Sequence, residues 1–350
     1  MELDALHDLA REQLPRGVYD YYAGGTEAEI TLGESVASWQ RWRLRPRMLR
    51  DVSTLSLATT LLGTPVSMPI GVAPWALQRM AHPDGESATA RGAAAAGTLM
   101  TVSTTATVPL AEVAAATEGP KWFQLYRVKD PAYTDDLVRR AADAGYRALV
   151  MTVDLPFLGR RLRDLVNDFQ LPEGIEMANH PPEQAYGDRA LTRALDSIAT
   201  ATWTFDDLAR FAALTPMPVV VKGVLRGDDA QRCLDAGAAA VWVSTHGGRQ
   251  VDPAIASAVA LPEIVEAVGP GVEVYADGGV RRGSDVLTAL ALGARAVFLG
   301  RPTIWGLAID GADGVRDVLT ELAAALQLTM ALCGVTDVAD VPADLVVRAG

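Results

Sequence analysis

From Met68 onward the chain repeats one unit eight times, and that repetition limits the folds open to it. Apolar, β-rich runs occur at 68–73, 97–102, 121–126, 147–153, 218–222, 239–244, 272–276 and 296–299. Helical patterns fall between them at roughly 84–96, 108–117, 132–144, 204–214, 227–236, 259–268, 283–292 and 303–331. Strands that are apolar throughout expect cover on both faces, which parallel sheets receive from their crossover helices. Eight such strands, each followed by a helix, predict an α/β fold of the (β/α)8 TIM barrel type with right-handed crossovers. A doubly wound open sheet is the competitor. The count of eight and the lack of an early GxGxxG phosphate loop weigh against it.

Two segments stand outside the repeat. Residues 1–66 form an N-terminal extension: two short helices up to residue 30, then short strands and turns over 40–66 that act as a lid or plug. Tyr19, Tyr21 and Tyr22 lie on the second helix, and aromatic packing accounts for two of the three. The second segment, 162–201, follows the fourth strand and is too long for a simple connection, which marks it as an active-site loop. The whole chain, 1–350, reads as a single domain.

Composition removes several classes of function. With 31 basic and 43 acidic residues the net charge is −12, so neither nucleic acid nor an anionic membrane is the expected partner. The cluster Arg41, Arg43, Arg45, Arg47 and Arg50 alternates with Trp42, Leu44, Met48 and Leu49, as in a two-faced edge strand. Cys233 and Cys333 are the only cysteines and the four histidines are scattered, so no zinc site is expected. With no targeting or membrane-spanning pattern, a cytoplasmic location is the expectation.

In barrels of this type, chemistry gathers where the strands end. Val243-Ser244-Thr245-His246-Gly247-Gly248-Arg249-Gln250-Val251-Asp252 runs from a buried strand into a His, two glycines and an Arg. A proton acceptor and a permanent cation three residues apart suit a substrate with a carboxylate and a proton to lose. A Gly-rich turn with a strand-capping His is the bland alternative, and three further strand-end constellations argue against it. Pro74, Trp75 and Ala76 follow the first strand with backbone able to line a flat ligand, and Ser103-Thr104-Thr105 follow the second. Gln124 and Tyr126, then Thr152, Asp154 and Arg161, then Lys222, end the next three. Asp277, Gly278, Gly279 and Arg281 follow the seventh, and Gly300 and Arg301 the eighth, where such barrels often hold phosphate.

The decapeptide, LVMTVDLPFLGRR, FQLY, VKGV and DGGVRRGSDVLTALALGARAVFLGRP together closely resemble the FMN-dependent α-hydroxy-acid oxidase and dehydrogenase family. That family includes glycolate, lactate and mandelate-oxidising enzymes. The resemblance runs from Tyr19 to about Met330. It implies FMN as cofactor and His246 as the group that takes the substrate proton, with Asp154 steadying its protonated form. Arg161 and Arg249 would bind the carboxylate, while Tyr21 and Tyr126 supply hydroxyls. Lys222 would lie beside flavin N1 and O2, with Gln124, Thr152, Ser103 and Ser244 as flavin or ribityl contacts. Gly279, Arg281, Gly300 and Arg301 match the phosphate loops. A homotetramer is the family's usual assembly.

Three departures from the family pattern bear on specificity. Thr245 replaces the Asn before the His, Thr105 stands where glycolate oxidases carry Trp, and Trp75 replaces a small residue or Thr. The expected reaction is oxidation of an (S)-2-hydroxy acid to the 2-oxo acid. Oxygen is the default acceptor, giving hydrogen peroxide, and the substrate is medium-chain or aromatic, mandelate-like. The alternatives are a dehydrogenase passing electrons to a quinone or protein, another FMN-barrel activity such as isomerisation, and a flavin-binding protein without chemistry.

Overall fold

A computed structural model describes residues 3–128, 130–181 and 203–349. The eight strands are β1 (Ile70–Val72), β2 (Met100–Ser103), β3 (Lys121–Leu125), β4 (Leu149–Thr152), β5 (Val219–Val224), β6 (Ala240–Val243), β7 (Glu273–Asp277) and β8 (Ala296–Leu299). All pair in parallel, and β8 returns to β1 through Val297↔Ile70 and Leu299↔Val72, closing the barrel. The (β/α)8 expectation holds.

Side-chain alternation explains the closure. Trp122, Val150, Val220, Trp242, Tyr275 and Phe298 form the interior cluster, while neighbours such as Leu149, Met151, Val221 and Val241 join the outer layer under the helices. The Trp242 and Phe298 rings lie 4.0 Å apart between centroids at the heart of that interior. Each apolar side chain of this size contributes about 1.5–3 kcal/mol on full burial. The bottom of the barrel is stoppered by the hairpin Thr59–Leu61/Thr64–Val66, whose Leu61 is fully buried and whose Leu62 N–H donates to the Glu273 carboxylate. Within 40–66, the part placed as a plug is thus this hairpin, 59–66, at the end opposite the strand tips.

The helices fall where the pattern placed them, within a few residues. The last runs Arg301–Cys333 with a break at Asp310 and Gly311, where the backbone leaves helical geometry. The N-terminal helices are Leu3–Gln13 and Arg16–Ala23, but a third, Ile30–Trp39, was not foreseen. Its first amides donate to the Asp252 carboxylate, from the loop after β6, at 3.1 and 2.7 Å. The arginine-rich segment contributes only Trp42–Leu44 as strand, with Arg43 outward, paired antiparallel with Val346–Arg348 at the C-terminus. The 162–201 loop begins with a short helix, Leu162–Val166; its portion beyond residue 181 lies outside the described residues. Among the described residues no helix is long and apolar enough to cross a membrane.

Candidate active site

The strand tips surround a cavity that is open to solvent at its mouth. Into it project Tyr21, Pro74, Trp75, Ala76, Ser103, Thr105, Tyr126, Thr152, Arg161, Lys222, His246, Arg249, Asp277, Gly278, Gly279, Arg281, Gly300 and Arg301, so eighteen scattered sequence positions converge. Gln124, Asp154 and Ser244 stand just behind this lining and hold parts of it. Leu155, Leu158 and Phe298 also line the cavity and were missed, because apolar residues in a loop or strand carry no chemical signal.

The β6 tip is built around an unusual backbone. His246 takes φ +54°, in the left-handed region, and Gly247 and Gly248 follow it there. For a His that conformation costs on the order of 1–3 kcal/mol and persists only where the surroundings impose it. They do: the His246 N–H donates to Ser244 Oγ at 3.0 Å, and Gly248 O accepts from Thr26 N at 2.9 Å. Gln250 Nε2 donates to Asp154 O and Phe157 O, tying the loop to the β4 tip. Thr245, in place of the family Asn, has a buried hydroxyl without a partner, so these other bonds fix the loop.

His246 Nδ1 lies 2.9 Å from Asp154 Oδ1, and its Nε2 lies 3.3 Å from the Tyr126 hydroxyl. Burial lowers the affinity of His246 for a second proton. Asp154 pulls the other way, and Lys222 and Arg161 reinforce the burial, leaving the pKa below its ordinary value. Burial raises the Asp154 pKa, but His246 and Lys222 outweigh it and hold the carboxylate below its usual range. An ionised Asp154 can only accept, so Nδ1 carries the hydrogen and the free lone pair of the neutral ring sits on Nε2.

Arg161, Arg249 and Arg301 bring three buried guanidiniums into the same cavity, and none of these three forms an ion pair with a described residue. Burial first, and Arg249 second, bring the pKa of Arg161 down to about 10; the same two causes lower that of Arg301. Arg161 Nε is buried without a partner among the described residues. Arg249 donates to Tyr21 O at 2.6 Å and Gly24 O at 3.0 Å, and lies over the Tyr21 ring. Arg301 donates to the carbonyls of Tyr22, Gly24 and Gly247. Buried like charges are costly unless anions join them, so this cluster is a site for anionic groups. The Trp75 indole packs on Gly300 and over both Arg249 and Arg301, at 5.5 and 5.6 Å. Tyr19 stacks on His7 and Trp305, and Tyr22 donates to Leu77 O, so those two tyrosines are structural and Tyr21 alone faces the cavity.

The opposite wall carries donors without partners. Gln124 Nε2 and Thr152 Oγ1 are buried and, among the described residues, unpaired at adjacent strand tips. Lys222 Nζ is 3.0 Å from Asp277 and donates to Ser244 Oγ at 2.6 Å, while Ser244 donates to Asp277 at 2.8 Å. Asp277, expected among the cofactor contacts, is thereby engaged in holding the Lys222 ammonium in place. Unpaired donors and a fixed cation on one wall fit a planar heterocycle with ring nitrogens and carbonyls. The arginines and glycine turns at the β7 and β8 tips fit its phosphate.

The sequence profile described as FMN-dependent dehydrogenase matches residues 10–348. The chain is similar to an L-lactate oxidase of Nostoc sp., 47% identical over 95% of this chain and 94% of that one. It is also similar to human 2-hydroxyacid oxidase 1, 47% identical over 94% and 91% of the two chains. Among solved structures, a mandelate oxidase superposes with a TM-score of 0.91 at 43% identity, covering 98% of this chain and 97% of that one. A profile spanning nearly every residue, together with a cavity whose unpaired donors fit a flavin, leads to one assignment: the chain belongs to the FMN-dependent dehydrogenase family.

Proposed function

We propose that the protein oxidises an (S)-2-hydroxy acid to the corresponding 2-oxo acid. The observation that carries this reading is a neutral, carboxylate-paired His246 in one cavity with Arg161 and Arg249, two buried cations free of ion pairs. FMN held there would supply the two-electron acceptor for the oxidation, with oxygen as the terminal acceptor and hydrogen peroxide as its product. Arg161 and Arg249 bind the substrate carboxylate, each charge-assisted contact contributing about 1.5–3 kcal/mol. Tyr21 and Tyr126 place their hydroxyls against the carboxylate and the substrate oxygen. His246 Nε2 receives the proton lost by the CHOH group, and the Asp154 carboxylate stabilises the imidazolium that results. Lys222, steadied by Asp277 and Ser244, sets a positive charge where the pyrimidine edge of the flavin would gain electron density. Gln124, Thr152 and Ser103 would hold that ring, Pro74–Ala76 would line its face, and Gly279, Arg281, Gly300 and Arg301 would hold its phosphate.

Thr105 in place of a Trp supports a substrate larger than glycolate. The lactate, 2-hydroxy acid and mandelate oxidases to which the chain is similar support oxygen as acceptor. A homotetramer working in the cytoplasm completes the proposal, and two buried free cysteines are compatible with that compartment. The test is anaerobic mixing of the purified yellow protein with a panel of 2-hydroxy acids, followed by admission of air. Bleaching of the flavin, then recovery of colour with stoichiometric peroxide, is expected. Bleaching that air does not reverse but a quinone does would favour a dehydrogenase.

A further inference from the structure

Behind Thr105 the structure places a second histidine, on the segment that follows β4. Met177–His180 is stitched to the chain after β2: Ala178 N donates to Ala106 O at 2.9 Å, and Leu110 N donates to Asn179 Oδ1 at 3.0 Å. Tyr133 OH donates to Asn179 O at 3.3 Å. These bonds fix the His180 ring beside Thr105, with Oγ1 and Nε2 3.5 Å apart. Thr105 is 1% exposed and His180 3% exposed. His180 Nδ1 has no partner among the described residues, and burial keeps the ring neutral, its pKa brought down to about 4.

A hydroxyl and a neutral imidazole carry at least four hydrogen-bonding functions between them. Here one contact, at the long limit of a hydrogen bond, serves the whole pair. Buried polar groups are ordinarily satisfied, so a pair this deficient next to a ligand cavity points to a ligand group. Thr105 lines the same cavity as Arg161, Arg249 and His246. Those three take the carboxylate and the carbinol, which leaves the substrate's side chain to meet Thr105. An apolar side chain would leave the pair as unsatisfied as before; one bearing a hydroxyl would complete it.

We propose that Thr105 and His180 recognise a hydrogen-bonding group on the side chain of the 2-hydroxy acid, so the preferred substrate is not purely hydrocarbon beyond C2. The inference rests on the 2-hydroxy-acid reading above and narrows it. It separates this wall of the cavity from the apolar contacts of Leu155 and Leu158.

The test uses matched pairs that differ by one hydroxyl: 3-phenyllactate with 3-(4-hydroxyphenyl)lactate, and 2-hydroxyhexanoate with 2,6-dihydroxyhexanoate. In the holoenzyme, the kcat/KM of at least one hydroxylated member should exceed that of its partner by roughly twofold to tenfold, as one neutral hydrogen bond gives. His180→Phe and Thr105→Val should each bring that ratio to about one, and His180→Gln should retain part of it. The ratio cancels any loss of folding or cofactor common to both substrates. A ratio near one in the wild type for both pairs overturns the proposal, as does a preference that survives both apolar variants. If none of the four acids, nor any other 2-hydroxy acid, reduces the flavin, the activity reading itself falls.

Discussion

Gly223 and Asp154 are packed so tightly that a Cβ on the glycine would come within 2.6 Å of the aspartate's Cβ and Cγ. Gly223 has φ +109° and sits at a register shift in the β5–β6 pairing, between Lys222 and Val224. The bulge turns Lys222 toward Ser244 and Asp277 and leaves room for the Asp154 carboxylate beside His246. Gly223→Ala should therefore strain the backbone by roughly 1–3 kcal/mol and push Asp154 off the imidazole. The expected outcome is a lower Tm together with slower flavin reduction at saturating substrate. A variant that loses stability but reduces at the wild-type rate would show that the Asp154 position is not critical.

The His246–Asp154 pair sets a pH dependence whose direction can be worked out. His246 must be unprotonated to accept, so kcat/KM should fall as pH drops through its pKa, which burial places below the ordinary value. Asp154 raises that pKa, so Asp154→Asn should move the acid limb to lower pH while lowering the plateau. His246→Gln should remove the limb and cost about 10²–10⁴-fold in reduction, with FMN still bound. Stopped-flow reduction across pH checks all three, and an acid limb that Asp154→Asn moves upward would reverse the assignment.

The two carboxylate-binding arginines should respond differently to lysine. Arg161 Nε has no partner among the described residues, so Arg161→Lys should chiefly raise KM, by roughly tenfold to a hundredfold for one charge-assisted bond. Arg249 also holds the carbonyls of Tyr21 and Gly24, and so secures the N-terminal segment over the site. Arg249→Lys should raise KM, slow reduction and expose Tyr21 to faster proteolysis nearby. Equal effects of the two changes on KM and kcat would contradict this division.

The barrel and most of its site were legible because both rest on local signals. Uniform apolar runs specify buried parallel strands, and polar residues just past such runs must face the strand-tip cavity. The helix Ile30–Trp39 was not legible: its sequence holds Gly33, Ser35 and Ser38, and the carboxylate that caps it belongs to Asp252, distant in the chain. The strand Val346–Arg348 is three residues long and defined by its partner alone. Trp75 was identified as a departure, yet its direction depends on Gly300, Arg249 and Arg301, which no local pattern reveals. His180 carried no motif at all, and only its packing against Thr105 brought it to the site.

Thr105 offers the sharpest test of specificity. A Trp at this position would fill the wall opposite the arginines, whereas Thr105 leaves that volume to the substrate. The Trp75 ring is held on the β8 side by Gly300 and two guanidiniums. Each buried methylene contributes about 0.8 kcal/mol, so a phenyl-sized side chain should gain a few kcal/mol over a methyl. That corresponds to roughly two orders of magnitude in kcat/KM, within the reach of an apolar pocket. Aromatic or long-chain 2-hydroxy acids should therefore outrank glycolate and lactate, and Thr105→Trp should reverse the order. Because His180 also lies against Thr105, at 3.5 Å, Thr105→Leu serves as a smaller step and should lower the preference partway. Glycolate as the best wild-type substrate, with a ranking that neither substitution alters, would place the specificity wall elsewhere in the cavity.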